Sequence, residues 1–290
     1  MAAAAWQIAK GVGRDLARDR ISIVAAGVAF YALFAVFPAL AALVSLYGLV
    51  FDAADVGRQV RALGMLLPPE AAAVLFSQLA DVTSTDRAKL GAGAIGGTLV
   101  SLWSASKGMK TLMEALNVAY HVEERRGFFR LNATALALTI GAIVSALLAI
   151  ALNVALPAAI ALLGLDRVAE ALIGIGQLAL LGTLMLAGTA VLYRYGPSRP
   201  RGRRRFVSPG GVAATLLWLA GSALFSLYVR NFASYNETYG SVGAIVILLT
   251  WFLLTAYAIL IGAEINGELG RRQAAESIPD PSVGSTRSPR

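Results

Sequence analysis

The chain has 290 residues, 57% of them hydrophobic and only 14% charged, against about 25% charged in an ordinary soluble domain. A formal net charge of +8 fits a nucleic-acid binder, but basic loops facing an anionic leaflet give the same sum. Cysteine is absent and His121 is the single histidine, which excludes disulfides, thiolate metal sites and any multi-histidine centre within one chain.

Residues 1–20 spread Lys10, Arg14, Arg18 and Arg20 along their length and read as a retained cytoplasmic helix rather than a cleavable signal. Crossing a hydrocarbon layer of roughly 30 Å takes about 20 apolar residues, and six windows meet or approach that length: 21–51, 91–106, 131–163, 168–193, 207–229 and 241–263. The second is short because Lys107 and Lys110 follow it, and snorkelling lysines let such a helix end among headgroups. With both ends inside, nineteen of the 25 lysines and arginines fall on inner segments and six on outer ones, as the positive-inside rule requires. The predicted architecture is an all-α integral membrane protein with six transmembrane helices, N-in and C-in. Its parts are a cytoplasmic helix at 1–20, a membrane domain at 21–266 and a largely disordered cytoplasmic tail at 267–290.

Several local features refine this. Pro38 in the first span and Pro157 in the third each remove a backbone donor and predict a kink or a hydrated break. The outer segment 52–90 carries apolar positions on either side of Pro68 and Pro69 and predicts two short interfacial helices. Gly93, Gly97, Ser101 and Ala105 recur at every fourth position, a small face expected to pack inward. After Lys107, an amphipathic stripe of Met109, Leu112, Met113, Leu116 and Tyr120 is expected to carry the helix on into the cytoplasm. Between the fourth and fifth spans, YRYGPSRPRGRRRF holds six arginines and no acid. Its aromatics flank the basic run instead of interleaving with it, so it reads as a cytoplasmic loop that fixes orientation and touches anionic lipid, not as an RNA arm. Tyr235, Asn236, Glu237, Tyr239 and Gly240 read as a polar turn between the last two spans.

Four stretches together resemble one family. They are AAGVAFYALFAVFPAL at 25–40, containing Tyr31 and Pro38; WSASKGMKTLMEALNVAY at 103–120; YGSVGAIVILLTWF at 239–252; and GAEIN at 262–266. Their order and spacing are similar to those of the YihY/BrkB family of bacterial inner-membrane proteins, with Ala35 standing where the family commonly has a serine. The resemblance implies a six-helix, multi-pass protein of the bacterial cytoplasmic membrane with both termini cytoplasmic. The family's older label, ribonuclease BN, is generally thought mistaken, and the residues agree. Hydrolysing RNA calls for clustered carboxylates holding metals or for a histidine pair, whereas here most acids lie singly in loops and His121 reads as a solvated surface residue.

Ionisable and polar groups near the membrane are costly there and mark candidate sites. Lys107 and Glu264 close the second and sixth spans, which run in the same direction, and are expected at matched depth as a charge pair, with an ordinary Lys110–Glu114 helix pair as the alternative use of the neighbouring acid. Asn117, Tyr120 and Asn266 add hydrogen-bonding groups at that level; Tyr31, Pro38, Asn153 and Tyr239 complete the substrate or gating candidates. Arg199, Arg201, Arg203, Arg204 and Arg205 are assigned to lipid headgroups and topology. No catalytic residue, metal or cofactor is expected. The function that fits is a transporter or flippase for an amphipathic or lipid-like substrate without its own ATPase, and the alternative is an accessory or scaffold subunit. Expected partners are membrane lipids, the amphipathic substrate and further copies of the chain, with no specific nucleic acid.

Overall fold

The turn Asp19-Arg20 divides a charged first helix from an uncharged second one, and the contrast sets the plan of the molecule. The computed structural model describes residues 2–50, 90–162, 169–199, 206–231 and 235–276. Among the described residues there are seven helices and no strand: α1 Ala2–Arg18, α2 Ile21–Val50, α3 Leu90–Ala119, α4 Phe128–Leu162, α5 Ala169–Tyr195, α6 Pro209–Asn231 and α7 Tyr235–Glu276. The outer segment 52–89, the tail beyond 276, and Arg201, Arg203, Arg204 and Arg205 lie outside them.

The helix ends carry the expected chemistry. Ser208 caps α6, its Oγ accepting from Gly211 N–H at 3.1 Å, and Pro209 occupies the first helical position, where no backbone donor is required. At the end of α3, Val122 N–H reaches back to Asn117 O at 2.9 Å and His121 takes a φ of 51°, the left-handed stop that usually falls to glycine. Arg20 does the same between α1 and α2, with φ 50°.

Helices α2 to α7 alternate in direction, sequential neighbours pack in order, and α7 closes back on α2, with a further contact between α3 and α7; α1 docks on α7. The starts of α2, α4 and α6 and the ends of α3, α5 and α7 therefore gather at one polar end. The core sits there too: Ile21, Met113, Leu116 and Leu260 are fully buried. Elsewhere large apolar side chains face outward, among them Phe34, Val100, Ile175 and Leu224, as lipid contact requires. Where α6 crosses α7, Gly210 and Gly262 put their backbones in direct contact, and a Cβ on either would enter the other's carbonyl oxygen.

Five helices, α2 and α4 to α7, are long and apolar enough to cross a membrane. α3 is not among them by that measure; its apolar run is short, rich in glycine and serine, and followed by Lys107, Lys110 and Glu114.

Four expectations are corrected. α2 runs through Pro38 as one helix, without a break. The stripe from Met109 to Tyr120 does not project from the bundle; it forms the last turns of α3, with Met113, Leu116 and Tyr120 inside the core. The small face does not pack as a unit, since a side chain at Gly97 would meet open space, and the close approach to α2 falls instead at Gly108, beside Ala35 and the Tyr31 carbonyl. The polar turn at 235–240 is the beginning of α7.

Candidate functional site at the polar end

Three polar assemblies share this end. The first fixes helices to one another. Asn266 Oδ1 accepts from Gly210 N–H at 2.9 Å, and its Nδ2 donates to Ser208 Oγ at 2.9 Å and to Tyr120 Oη at 3.2 Å. One amide thus ties the start of α6 to the end of α3. Tyr193, buried on α5, donates to Ile259 O at 2.6 Å on α7. Asn117 Oδ1 accepts from Ser198 N–H at 2.8 Å, and its Nδ2 donates to Glu124 Oε2 at 3.0 Å, joining the loops after α3 and α5.

The second assembly is an open cavity of about 850 Å³ between those loops and the facing ends of α4 and α5. Five arginines line it, Arg125, Arg126, Arg130, Arg194 and Arg199, against one acid, Glu123. Two of the five are committed. Arg126 donates to the Tyr195 and Gly196 carbonyls at 3.0 and 2.7 Å, capping α5, and forks onto Glu124. That contact holds the Glu124 carboxyl down at about 2, with the Arg126 side-chain hydrogen bond the largest cause. Arg199 lies over the Tyr120 ring at 3.8 Å and donates to Tyr193 O at 3.1 Å. Arg125, Arg130 and Arg194 are exposed at the cavity and have no acidic partner among the described residues. Thr134 and Ser198 add hydroxyls. The arrangement suits a multiply charged anion such as a phosphate ester.

The third assembly lies where α1, α3 and α7 meet. Glu264 is 0% exposed, and neither of its oxygens has a hydrogen-bond partner among the described residues. Its carboxyl group, that of Asp19 and the imidazole of His121 come within 4.8 Å of one another. His121 Nε2 is 2.7 Å from Asp19 Oδ2, and His121 Nδ1 is 2.8 Å from Arg271 NH1. Arg271 also reaches Asp15 and Glu268. His121 is exposed, as expected, and also joins the end of the N-terminal helix to the last one.

Lys107 takes no part in any of these. Gly267 packs on the Ala119 carbonyl, so Glu264, three residues earlier on a parallel helix, lies level with about Leu116. Lys107 is nine residues before Leu116, about 13 Å further from the polar end. It is exposed, while Glu264 is buried against Asp19 and His121. The expected pair is therefore not formed; it is Gly108, next to Lys107, that packs by the Tyr31 carbonyl, and the Tyr31 side chain is 51% exposed. The side chains of Asn153, on α4, and Tyr239, on α7, lie outside the described residues. No sequence signal points to Asp19 or His121, since their nearness to Glu264 depends on three separate helix ends.

Apolar helices of spanning length, lipid-type side chains outward and polar contacts collected at one end define a helical integral membrane protein. Comparison with known sequences places it more closely. The chain belongs to the BrkB family, whose model, described as "Virulence factor BrkB", matches residues 12–286. It is 37% identical over 196 residues to the ribonuclease-like protein YfkH of Bacillus subtilis, covering 63% of this chain and 67% of that one. It is 31% identical over 259 residues to a UPF0761 membrane protein of Chromohalobacter salexigens, covering 87% of this chain but only 60% of the relative. A 75-residue stretch is 41% identical to the UPF0761 membrane protein YihY of Escherichia coli, 24% of this chain and 26% of that one. No solved structure matches the chain.

Proposed function

We propose that the protein is a transporter or flippase for an amphipathic molecule with an anionic, phosphate-bearing headgroup, and that it works without an ATPase of its own. The observation that carries this reading is the 850 Å³ cavity in which five arginines face one acid, at the ends of helices whose outer surfaces are apolar. A headgroup seated there would leave its acyl chains beside α4 and α5. In this reading α3 is the sixth span and the arginine-rich end faces the cytoplasm, where positive segments are retained and anionic lipids concentrate. Lys107 adds a cation part way along α3, where an isolated charge is costly unless it serves a purpose. A nuclease is disfavoured because the one cluster of ligating side chains among the described residues, Asp19, His121 and Glu264, holds its central carboxylate beyond the reach of a polynucleotide.

The test is reconstitution into vesicles carrying fluorescent phosphatidylglycerol or phosphatidylcholine, with movement between leaflets read by dithionite quenching. The wild type should move the anionic lipid faster, and the double variant Arg130→Gln and Arg194→Gln should slow it at least tenfold while leaving the fold intact. If neither lipid moves, and the protein instead copurifies with a stoichiometric subunit, the transporter reading fails and the scaffold reading replaces it.

A further inference from the structure

Two carboxyl groups that face each other away from water cannot both remain ionised unless something positive lies between them. Asp19 and Glu264 are such a pair, with side-chain exposure of 10% for Asp19 and none for Glu264. Three charges could satisfy them: a guanidinium, a metal ion or a proton. The nearest guanidinium, Arg271, is engaged by Asp15, Glu268 and His121 and makes no hydrogen bond to Glu264. Arg18 approaches Asp19 only at 3.9 Å from the solvent side.

The histidine decides between the other two. Arginine can only donate, so the 2.8 Å contact from Arg271 NH1 makes Nδ1 the acceptor. Nδ1 then carries no hydrogen, which leaves the ring hydrogen on Nε2, 2.7 Å from Asp19 Oδ2, an oxygen that has no hydrogen-bond partner among the described residues. An Nε2 that carries hydrogen has no lone pair for a metal. A ligating histidine normally donates its second N–H to an acceptor, whereas here that position faces a donor. The buried core at this end includes apolar Ile21 and Ala25 of α2, and its hydroxyls on Tyr120 and Tyr193 are already bonded elsewhere.

We propose that Asp19 and Glu264 share one bound proton, so that with His121 they form a proton-binding site where α1, α3 and α7 meet. Glu264 is the buried end of the site. His121, with its side chain 29% exposed, lines the arginine cavity and is the end open to solvent. Loss of the proton places two like charges between the α1–α2 turn and α7, opposing the contacts of Asp15 with Arg271 and of Gly11 with Glu268 that dock α1. Proton occupancy thereby sets how firmly the N-terminal helix is held. The site stands whatever the protein transports.

Infrared spectra of the purified full-length protein in lipid nanodiscs test it. At neutral pH the wild type should show a protonated-carboxyl C=O band that shifts in D2O and disappears as the pH is raised. Glu264→Gln, which mimics the protonated form, should lack that band and keep a wild-type unfolding temperature. Asp19→Asn, which replaces the acceptor, should move or remove the band and serves if Glu264→Gln accumulates poorly. The proposal is overturned if the wild type has no such band, if both variants retain it unchanged, or if Zn2+ or Mn2+ binds one ion per chain and abolishes it.

Discussion

The side chain of Asn266 on α7 accepts the Gly210 N–H of α6 at 2.9 Å, at a crossing where two glycine backbones touch. The first donors of a helix have no partner within it, and here another helix supplies one. Asn266→Ala leaves the Gly210 donor, Ser208 Oγ and Tyr120 Oη without this partner, and is expected to cost about 2–3 kcal/mol, the scale for stranded buried polar groups. Unfolding in detergent measures it. A loss below about 0.5 kcal/mol, the level of an ordinary surface change, would mean that glycine contact alone holds the crossing.

Lys107→Met and Glu264→Gln should behave as independent changes. The two residues lie at different depths, and sites that share no partner add to within about 0.5 kcal/mol. A double-mutant cycle on thermal stability reads this directly. Coupling of about 1 kcal/mol or more between them would contradict the register of α3 against α7 given by Gly267 and Ala119.

Glu124 gives the polar end an acid sensitivity of definite sign. Its carboxyl is held near 2 in the folded protein against an ordinary 4.5, chiefly by Arg126. A lowered value means stability that is complete above about pH 4.5 and is lost as the pH falls toward about 2. The pair is partly exposed, so its contribution is about 1 kcal/mol at most. Glu124→Gln should therefore unfold at a lower temperature than the wild type at neutral pH, and the gap should close on acidification. A gap that is constant with pH would show that the ionised form is not what Arg126 recognises.

The helical membrane class, four of the apolar helices to within a few residues and the concentration of arginines at one end were all legible in the chain. Each follows from local quantities: the length of an apolar run, the position of charges beside it, and signals such as Ser208-Pro209. Asn117, Tyr120 and Asn266 gather at the polar end because they lie near the ends of helices that finish on the same side. The Lys107–Glu264 pair failed for a reason that sequence does not contain. Two parallel helices can share a direction while sliding by several turns, and the slip was set by which small residues met, Gly267 on Ala119 and Gly108 on Ala35. His121 is exposed, as expected, but its contacts with Asp19 and Arg271 were not legible, because they depend on the φ 51° stop at the end of α3 that brings the ring beside α1. The sequence by itself determined the solvent for each segment, since transfer free energy is a property of the residues. Only the tertiary structure decided which charges meet, because a buried carboxyl such as Glu264 takes its neighbours from helix ends far away in the chain, at Asp19 and His121.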